Sequence, residues 1–138
     1  MGQNITANDY PLSSKRPDLV SSATGKRLDE ITLDKFMDGS IDFKDIQIRP
    51  ETLEYQAQIA ESAGRPHISV NLRRAAELTR VPDARILEIY GALRPGRSTK
   101  EELLAISAEL ETTYNATICS TFVREAACVY AERGQLKQ

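Results

Sequence analysis

From about residue 50 onward, apolar residues recur at three-and-four spacing in five stretches, each bounded by proline, glycine or a capping residue. Pro50 opens the first, which runs through Leu53, Ile59 and Ala60 to a stop at Gly64, the usual proline-first, glycine-last asymmetry. Pro66 opens the second, with Ile68, Leu72, Ala75 and Ala76 on one face, and Val81-Pro82 ends it. Pro82 starts the third, whose stripe is Ile86, Ile89, Tyr90 and Leu93, and Pro95 stops it because the residue before a proline avoids helical geometry. Ser98 and Glu101 read as a capping box for the fourth helix, which carries Leu103, Leu104, Ile106 and Leu110. The fifth runs from about Ala116 to Arg133, with Ile118, Phe122 and Val129 along one side and Gly134 as terminator. No strand is predicted in this region.

The first 48 residues follow no sustained period. After Met1 they hold thirteen Leu, Ile, Val, Phe or Met in 47 residues, against twenty in the 90 residues that follow. The front third is thus richer in large apolar side chains, yet Pro11, Pro17, Gly25 and Gly39 break it into pieces. Only Thr32 to Asp38 reads as a short helix, capped by Thr32 and stopped by Gly39. Burying a large apolar side chain is worth about 1.5–3 kcal/mol, so a solvated tail would not carry this many. The pattern predicts a mainly α chain: a small bundle of about five helices over 49–138, and an extended, irregular arm over 1–48 that must lie along either the chain's own helices or a larger partner, the partner being favoured.

At 138 residues the chain is one domain's worth of sequence, and 18 Lys+Arg against 20 Asp+Glu leave a net charge of -2. That balance disfavours a coat for polyanions. No apolar run reaches the ~18–20 residues of a membrane span, and no charged-then-apolar leader opens the sequence, so a soluble cytosolic protein is expected. Charge is segregated: residues 28–64 carry nine acids and three bases, residues 65–100 eight bases and three acids. Such blocks either pair with each other or meet complementary patches on a second subunit. Cys119 and Cys128 lie on opposite faces of the last helix, roughly 13 Å apart along its axis, too far for a disulfide or a shared metal ion.

Candidate chemistry is sparse. His67, the one histidine, falls in the first turn after Pro66, an exposed position that suits neither a triad nor a ligand. Gly96-Arg-Ser-Thr-Lys100 sets hydroxyls and cations at a helix start, where an anion is welcome, but it lacks the phosphate-loop spacing and a preceding strand. Thr24-Gly25-Lys26-Arg27 reads as a solvated turn. The pairs Glu101/Glu102 and Glu109/Glu111 sit among polar neighbours that do nothing to separate their pKa values. Arg73, Arg74, Arg80, Arg85, Arg94 and Arg97 form a basic stretch without interleaved aromatics. No residue is assigned a catalytic, cofactor-binding or metal-binding role.

Several blocks resemble one known family. They are Asp9-Tyr-Pro-Leu12, the Gly25-Lys26 turn, Arg49-Pro-Glu-Thr-Leu-Glu-Tyr-Gln-Ala-Gln-Ile-Ala-Glu61 and Arg74-Ala-Ala-Glu-Leu78. Pro82-Asp-Ala-Arg-Ile-Leu-Glu-Ile-Tyr90, Ala92-Leu-Arg-Pro95, Arg97-Ser-Thr-Lys-Glu-Glu-Leu-Leu-Ala105 and Phe122-Val-Arg-Glu-Ala126 belong to the same set. Together they resemble the small (gamma) subunit of adenosylcobalamin-dependent diol and glycerol dehydratases, from Asp9 to Lys137, with Gly91 and Gly96 departing from the bulkier residues of that pattern. The resemblance implies a dimer of heterotrimers in which the large subunit holds substrate and a potassium ion. Adenosylcobalamin would lie between the large and medium subunits, and a radical mechanism would convert 1,2-propanediol or glycerol to an aldehyde and water. It implies a small subunit that contacts mainly the large one, stabilises it and supplies no catalytic residue, in the cytoplasm or within a bacterial microcompartment. The competing expectation is a self-contained helical module that binds an anionic partner or nucleic acid through the basic 65–100 block.

Overall fold

The computed structural model describes residues 4–138. They fold into short turns followed by long helices: α1 (Leu12–Lys15), α2 (Leu33–Met37), α3 (Pro50–Ser62), α4 (Pro66–Leu78), α5 (Asp83–Ala92), α6 (Lys100–Thr112) and α7 (Thr117–Glu132). Among the described residues no strand forms; the only pairings of that kind are single bridges, Ser21 with Arg27 and Ser22 with Ile48. The chain divides into two compact units, Met1–Ala76 and Glu77–Gln138, with the boundary inside α4.

In the first unit the N-terminal segment is irregular, as its sequence predicts, but it is wound into tight turns rather than extended. The local chemistry explains this. Thr6 and Asp9 cap one 3-10 turn (Ala7–Asp9) reciprocally, Asp42 and Asp45 do the same for another (Phe43–Ile46), and Thr32 caps α2. Gly39, at φ 82°, ends α2 in a left-handed conformation that costs glycine little. The beginning of the segment lies on α3: the Ile5 amide donates to Gln58 Oε1 at 3.2 Å and the Ala7 amide to Ser62 Oγ at 3.1 Å. Ile5 and Leu12 are buried against Ile59, with Leu19, Val20 and Tyr55 around them. Part of the apolar content of the front third is therefore sheltered by the chain's own helix.

The core of the second unit is Val81, Ile89, Leu103, Ile106, Leu110, Ala116, Cys119, Val123 and Ala127, lined by Ile86, Leu93, Tyr114, Tyr130 and Leu136. Helices α6 and α7 pack closely because small residues face each other. Ser107 Oγ and Ser120 Oγ lie 2.9 Å apart, and each hydroxyl is also within 2.9 Å of the other residue's carbonyl oxygen. These two buried serines satisfy one another, so the close approach leaves neither hydroxyl without a partner. The C-terminal residues close the unit. Gly96 N–H donates to the Gln135 carbonyl at 2.7 Å, Lys137 N–H to the Ser98 carbonyl at 2.8 Å, and Tyr130 Oη to the Leu93 carbonyl at 2.6 Å.

Helix existence follows the sequence closely, and helix faces less so. In α7 the expected stripe of Ile118, Phe122 and Val129 is not the core face: Phe122 and Val129 are exposed, while Cys119, Ser120, Val123 and Ala127 are buried. Both sets satisfy helical spacing, and the smaller set wins because it admits the backbone of α6. Tyr90 turns outward, 100° round the helix from Ile89, and its ring lies under the Arg94 guanidinium at 6.0 Å. Ile68 is exposed on α4, where Ser69, Ala76 and Glu77 are the buried positions, and Leu104 is exposed on α6. Pro82 is the N-cap of α5 rather than its first residue.

The capping box of α6 is also displaced by one residue. Thr99 accepts from the Glu102 amide at 3.2 Å, and the Glu102 carboxylate accepts from the Thr99 amide at 2.8 Å. Ser98 instead donates to the Ala92 carbonyl at 2.8 Å, across the turn from α5. Sequence spacing could not separate the two registers, because Ser98/Glu101 and Thr99/Glu102 are equally good boxes.

Gly91 sits in the last turn of α5 with no atom within 4 Å of where a Cβ would stand. Gly91→Ala is expected to stabilise the chain by about 0.5–1 kcal/mol, through helix propensity alone. Gly96→Ala is expected to do the reverse, since Gly96 holds φ 76°. Urea unfolding of the two variants, followed by circular dichroism, measures both signs.

Candidate functional site

The sequence motifs with chemical potential are already occupied with folding. Ser98 and Thr99 of the Gly96–Lys100 segment serve the α5–α6 turn and the α6 cap. An open groove of about 530 Å³ runs beside this segment, lined by Arg85, Gly91, Arg97, Ser98 and Glu109 among others. Its most ordered charges neutralise each other: Arg85 donates to Glu109 through Nε at 3.0 Å and through its terminal nitrogen, and to Glu88 at 2.8 Å. The hydrogen bond from Arg85 holds the Glu109 carboxyl below the ordinary glutamate range. A groove floored by a closed ion pair offers little to an incoming anion.

The basic stretch is likewise engaged. Arg73 joins Glu54 at 3.1 Å and Glu61 at 2.9 Å, so acids of α3 meet a base of α4 within the first unit. Arg80 donates to the Tyr114 and Asn115 carbonyls, both at 2.9 Å. These arginines brace the fold and do not form a free phosphate track. His67 is exposed at the start of α4, and Glu101 and Glu102 are exposed at the start of α6, Glu102 within its cap. Cys119 is buried and Cys128 exposed, in keeping with their opposite faces. Among the described residues no three His, Cys, Asp or Glu side chains are grouped to hold a metal ion, and no helix is long and apolar enough to cross a membrane.

One buried acid was not legible in the sequence. Glu77, 7% exposed at the end of α4, accepts from the Ile118 amide through Oε1 at 2.9 Å and from the Cys119 amide through Oε2 at 2.8 Å. Those are the second and third amides of α7, whose own N-cap, Ala116, has no side chain able to reach them. A carboxylate forty-one residues upstream thus does the work of a cap, and the positive end of the helix dipole favours its charge. Only a distance in sequence that local patterns do not register separates it from an ordinary capping residue.

The described residues also expose apolar surface. Of fifteen large hydrophobic residues exposed among the described ones, eight belong to the first 48: Tyr10, Leu28, Leu33, Phe36, Met37, Phe43, Ile46 and Ile48. Five of these are linked by turn spacing along the chain and by one ring contact across it. Leu33, Phe36 and Met37 share a face of α2 at helical spacing, and Phe36 meets Phe43 edge to face at 5.7 Å. Ile46 follows Phe43 one turn on. Leu33, Met37 and Phe43 are 75%, 77% and 73% exposed, which is far more than isolated surface residues of this kind need. Acids border the cluster. Asp38 Oδ1 accepts from the Ser40 amide at 2.8 Å, and Asp45 Oδ1 accepts from Thr24 Oγ1 at 2.6 Å. Hydrogen bonds from Ser40 and Thr24 keep the Asp38 and Asp45 carboxyls below the ordinary aspartate range.

Residues 5–137 match the family model described as dehydratase small subunit. The chain is similar to the propanediol dehydratase small subunit of Salmonella typhimurium, 57% identical over 135 residues that cover 98% of this chain and 78% of that one. It is similar to the propanediol dehydratase small subunit of Citrobacter freundii, 56% identical over 129 residues covering 94% and 75%.

Proposed function

This chain belongs to the dehydratase small-subunit family, and on that premise we propose that it is the small, non-catalytic subunit of a propanediol dehydratase complex. The observation that carries the reading is the match along almost the whole chain, 57% identity over 98% of its length. The internal engagement of its arginines and hydroxyls agrees with a supporting role.

In this reading the complex converts a 1,2-diol to an aldehyde and water, in the cytoplasm or inside a bacterial microcompartment. Its cofactor is adenosylcobalamin, which supplies the radical chemistry when bound. A potassium ion accompanies the substrate in the large subunit. Among the described residues the one histidine is exposed and no three His, Cys, Asp or Glu side chains are grouped to hold a metal ion, so these residues do not fit the potassium ion. In this reading both are bound by the larger subunits, adenosylcobalamin between the large and medium ones and potassium in the large one, and residues 1–48 dock this chain chiefly onto the large one. Helix α3 gives the beginning of that segment its seat.

Co-expression with the two larger subunits tests the proposal. The tagged chain is expected to co-purify with both, and the complex to turn over 1,2-propanediol when adenosylcobalamin and potassium are supplied, while the chain alone is inactive. Turnover by this chain alone, or co-purification with nucleic acid in place of the larger subunits, would overturn it.

A further inference from the structure

We propose that the cluster of Leu33, Phe36, Met37, Phe43 and Ile46 is the energetic centre of docking, and that the surface it meets on a larger dehydratase subunit is apolar with a rim of Arg and Lys. This rests on the assignment of the chain as a dehydratase small subunit. The centre follows from exposure and shape. A five-residue helix is marginal by itself, yet α2 holds three large apolar side chains outward and an edge-to-face ring pair locks its neighbour turn beside them. Aromatic and long aliphatic anchors held in one arrangement lose little freedom on binding, which is what makes a few residues dominate an interface.

The rim selects the occupant. Residues 33–46 carry four aspartates, Asp34, Asp38, Asp42 and Asp45, against Lys35 and Lys44. Two of the acids, Asp42 and Asp45, are fixed by reciprocal capping of the Phe43–Ile46 turn. A second copy of this chain seated on the cluster would bring carboxylates against carboxylates, because a two-fold contact places the same patch on both sides. Anionic lipid headgroups and nucleic-acid phosphates meet the same repulsion. A protein surface with an apolar middle and cationic margin satisfies both parts of the patch, the margin setting orientation and encounter rate.

The test is a competition inside the assembled enzyme. The larger subunits are co-expressed with equal amounts of wild-type chain and a variant, each carrying a different tag, and the ratio incorporated is read by mass spectrometry. Leu33→Ser with Met37→Ser alters two side chains that touch little of their own chain, and incorporation is expected to fall at least about tenfold below wild type. Asp34→Lys leaves the apolar centre intact and is expected to fall several-fold, with the deficit shrinking as assembly is carried out at higher salt. Equal incorporation of the double variant would overturn the assigned centre, and equal or better incorporation of Asp34→Lys would overturn the cationic rim. A dimer of this chain that the double variant abolishes, with its incorporation unchanged, would make the occupant a second copy and overturn the proposal. Failure of the wild-type chain itself to enter a complex would count against the subunit assignment instead. Circular dichroism of the variants is expected to match wild type, and Leu87→Ser on the exposed face of α5 is expected to incorporate normally; a loss there as large as at Leu33 and Met37 would overturn the localisation.

Discussion

Glu77→Ala is expected to destabilise the second unit by about 2–4 kcal/mol. The carboxylate accepts two main-chain hydrogen bonds, at 2.9 and 2.8 Å, from the first turn of the longest helix in the chain. Removing it leaves the Ile118 and Cys119 amides with no replacement from Ala116, and the Cys119 amide has no route to water because that residue is 5% exposed. The side of the turn that carries carbonyls stays held by Arg80, which donates to Tyr114 and Asn115, so the loss should localise to the start of α7. Glu77→Gln retains one good acceptor and is expected to recover roughly half of the loss. Urea unfolding of the full chain gives the magnitude. Amide hydrogen exchange gives the location, with faster exchange at Ile118 and Cys119 as the expected signature. A Glu77→Ala protein that unfolds within about 0.5 kcal/mol of wild type would mean that α7 keeps its start without this cap.

Removing residues 1–48 is expected to reduce recovered holoenzyme by an order of magnitude or more, while leaving turnover per remaining complex unchanged. Two physical losses combine. Ile5 and Leu12 leave Ile59 and Tyr55 of α3 uncovered, an effect of about 3–6 kcal/mol in burial for the first unit. The deletion also removes eight of the fifteen exposed large apolar residues, including the cluster on α2. Chemistry should survive because no residue of this segment is assigned a reacting role. Complex yield by gel filtration and initial rates normalised to intact complex separate assembly from catalysis. A truncated chain that assembles normally but yields an inactive complex would instead place a catalytic contribution in this segment.

How far the sequence is legible depends on whether the governing contacts are local. Helix positions are legible because their determinants are: Pro50 and Pro66 at first turns, Gly64 and Gly134 past the ends, Thr32 before α2. The excess of apolar residues before residue 49 is a matter of counting. The family resemblance likewise rests on strings of residues and needs no coordinates. Helix faces are less legible, since in α7 two stripes of equal spacing compete and the choice between them lies with α6. The same holds for the α6 cap, where Thr99 rather than Ser98 is used because Ser98 is drawn to the Ala92 carbonyl across a turn.

The sequence by itself determined the five long helices and the short α2, though not α1, the irregular front third and membership of a subunit family, because propensity, punctuation and block identity act over a few residues at a time. Only the tertiary structure decided which of the front third's apolar residues are spent on the chain's own α3 and which remain outward. Ile5 and Leu12 lie against Ile59, whereas Leu33, Met37 and Phe43 do not find cover, and nothing in their residue types distinguishes the two groups. Tertiary structure also turned Glu77 into a cap for a helix that begins forty residues later. Both outcomes depend on where segments distant in sequence come to rest, and burial and hydrogen bonding respond to distance in space.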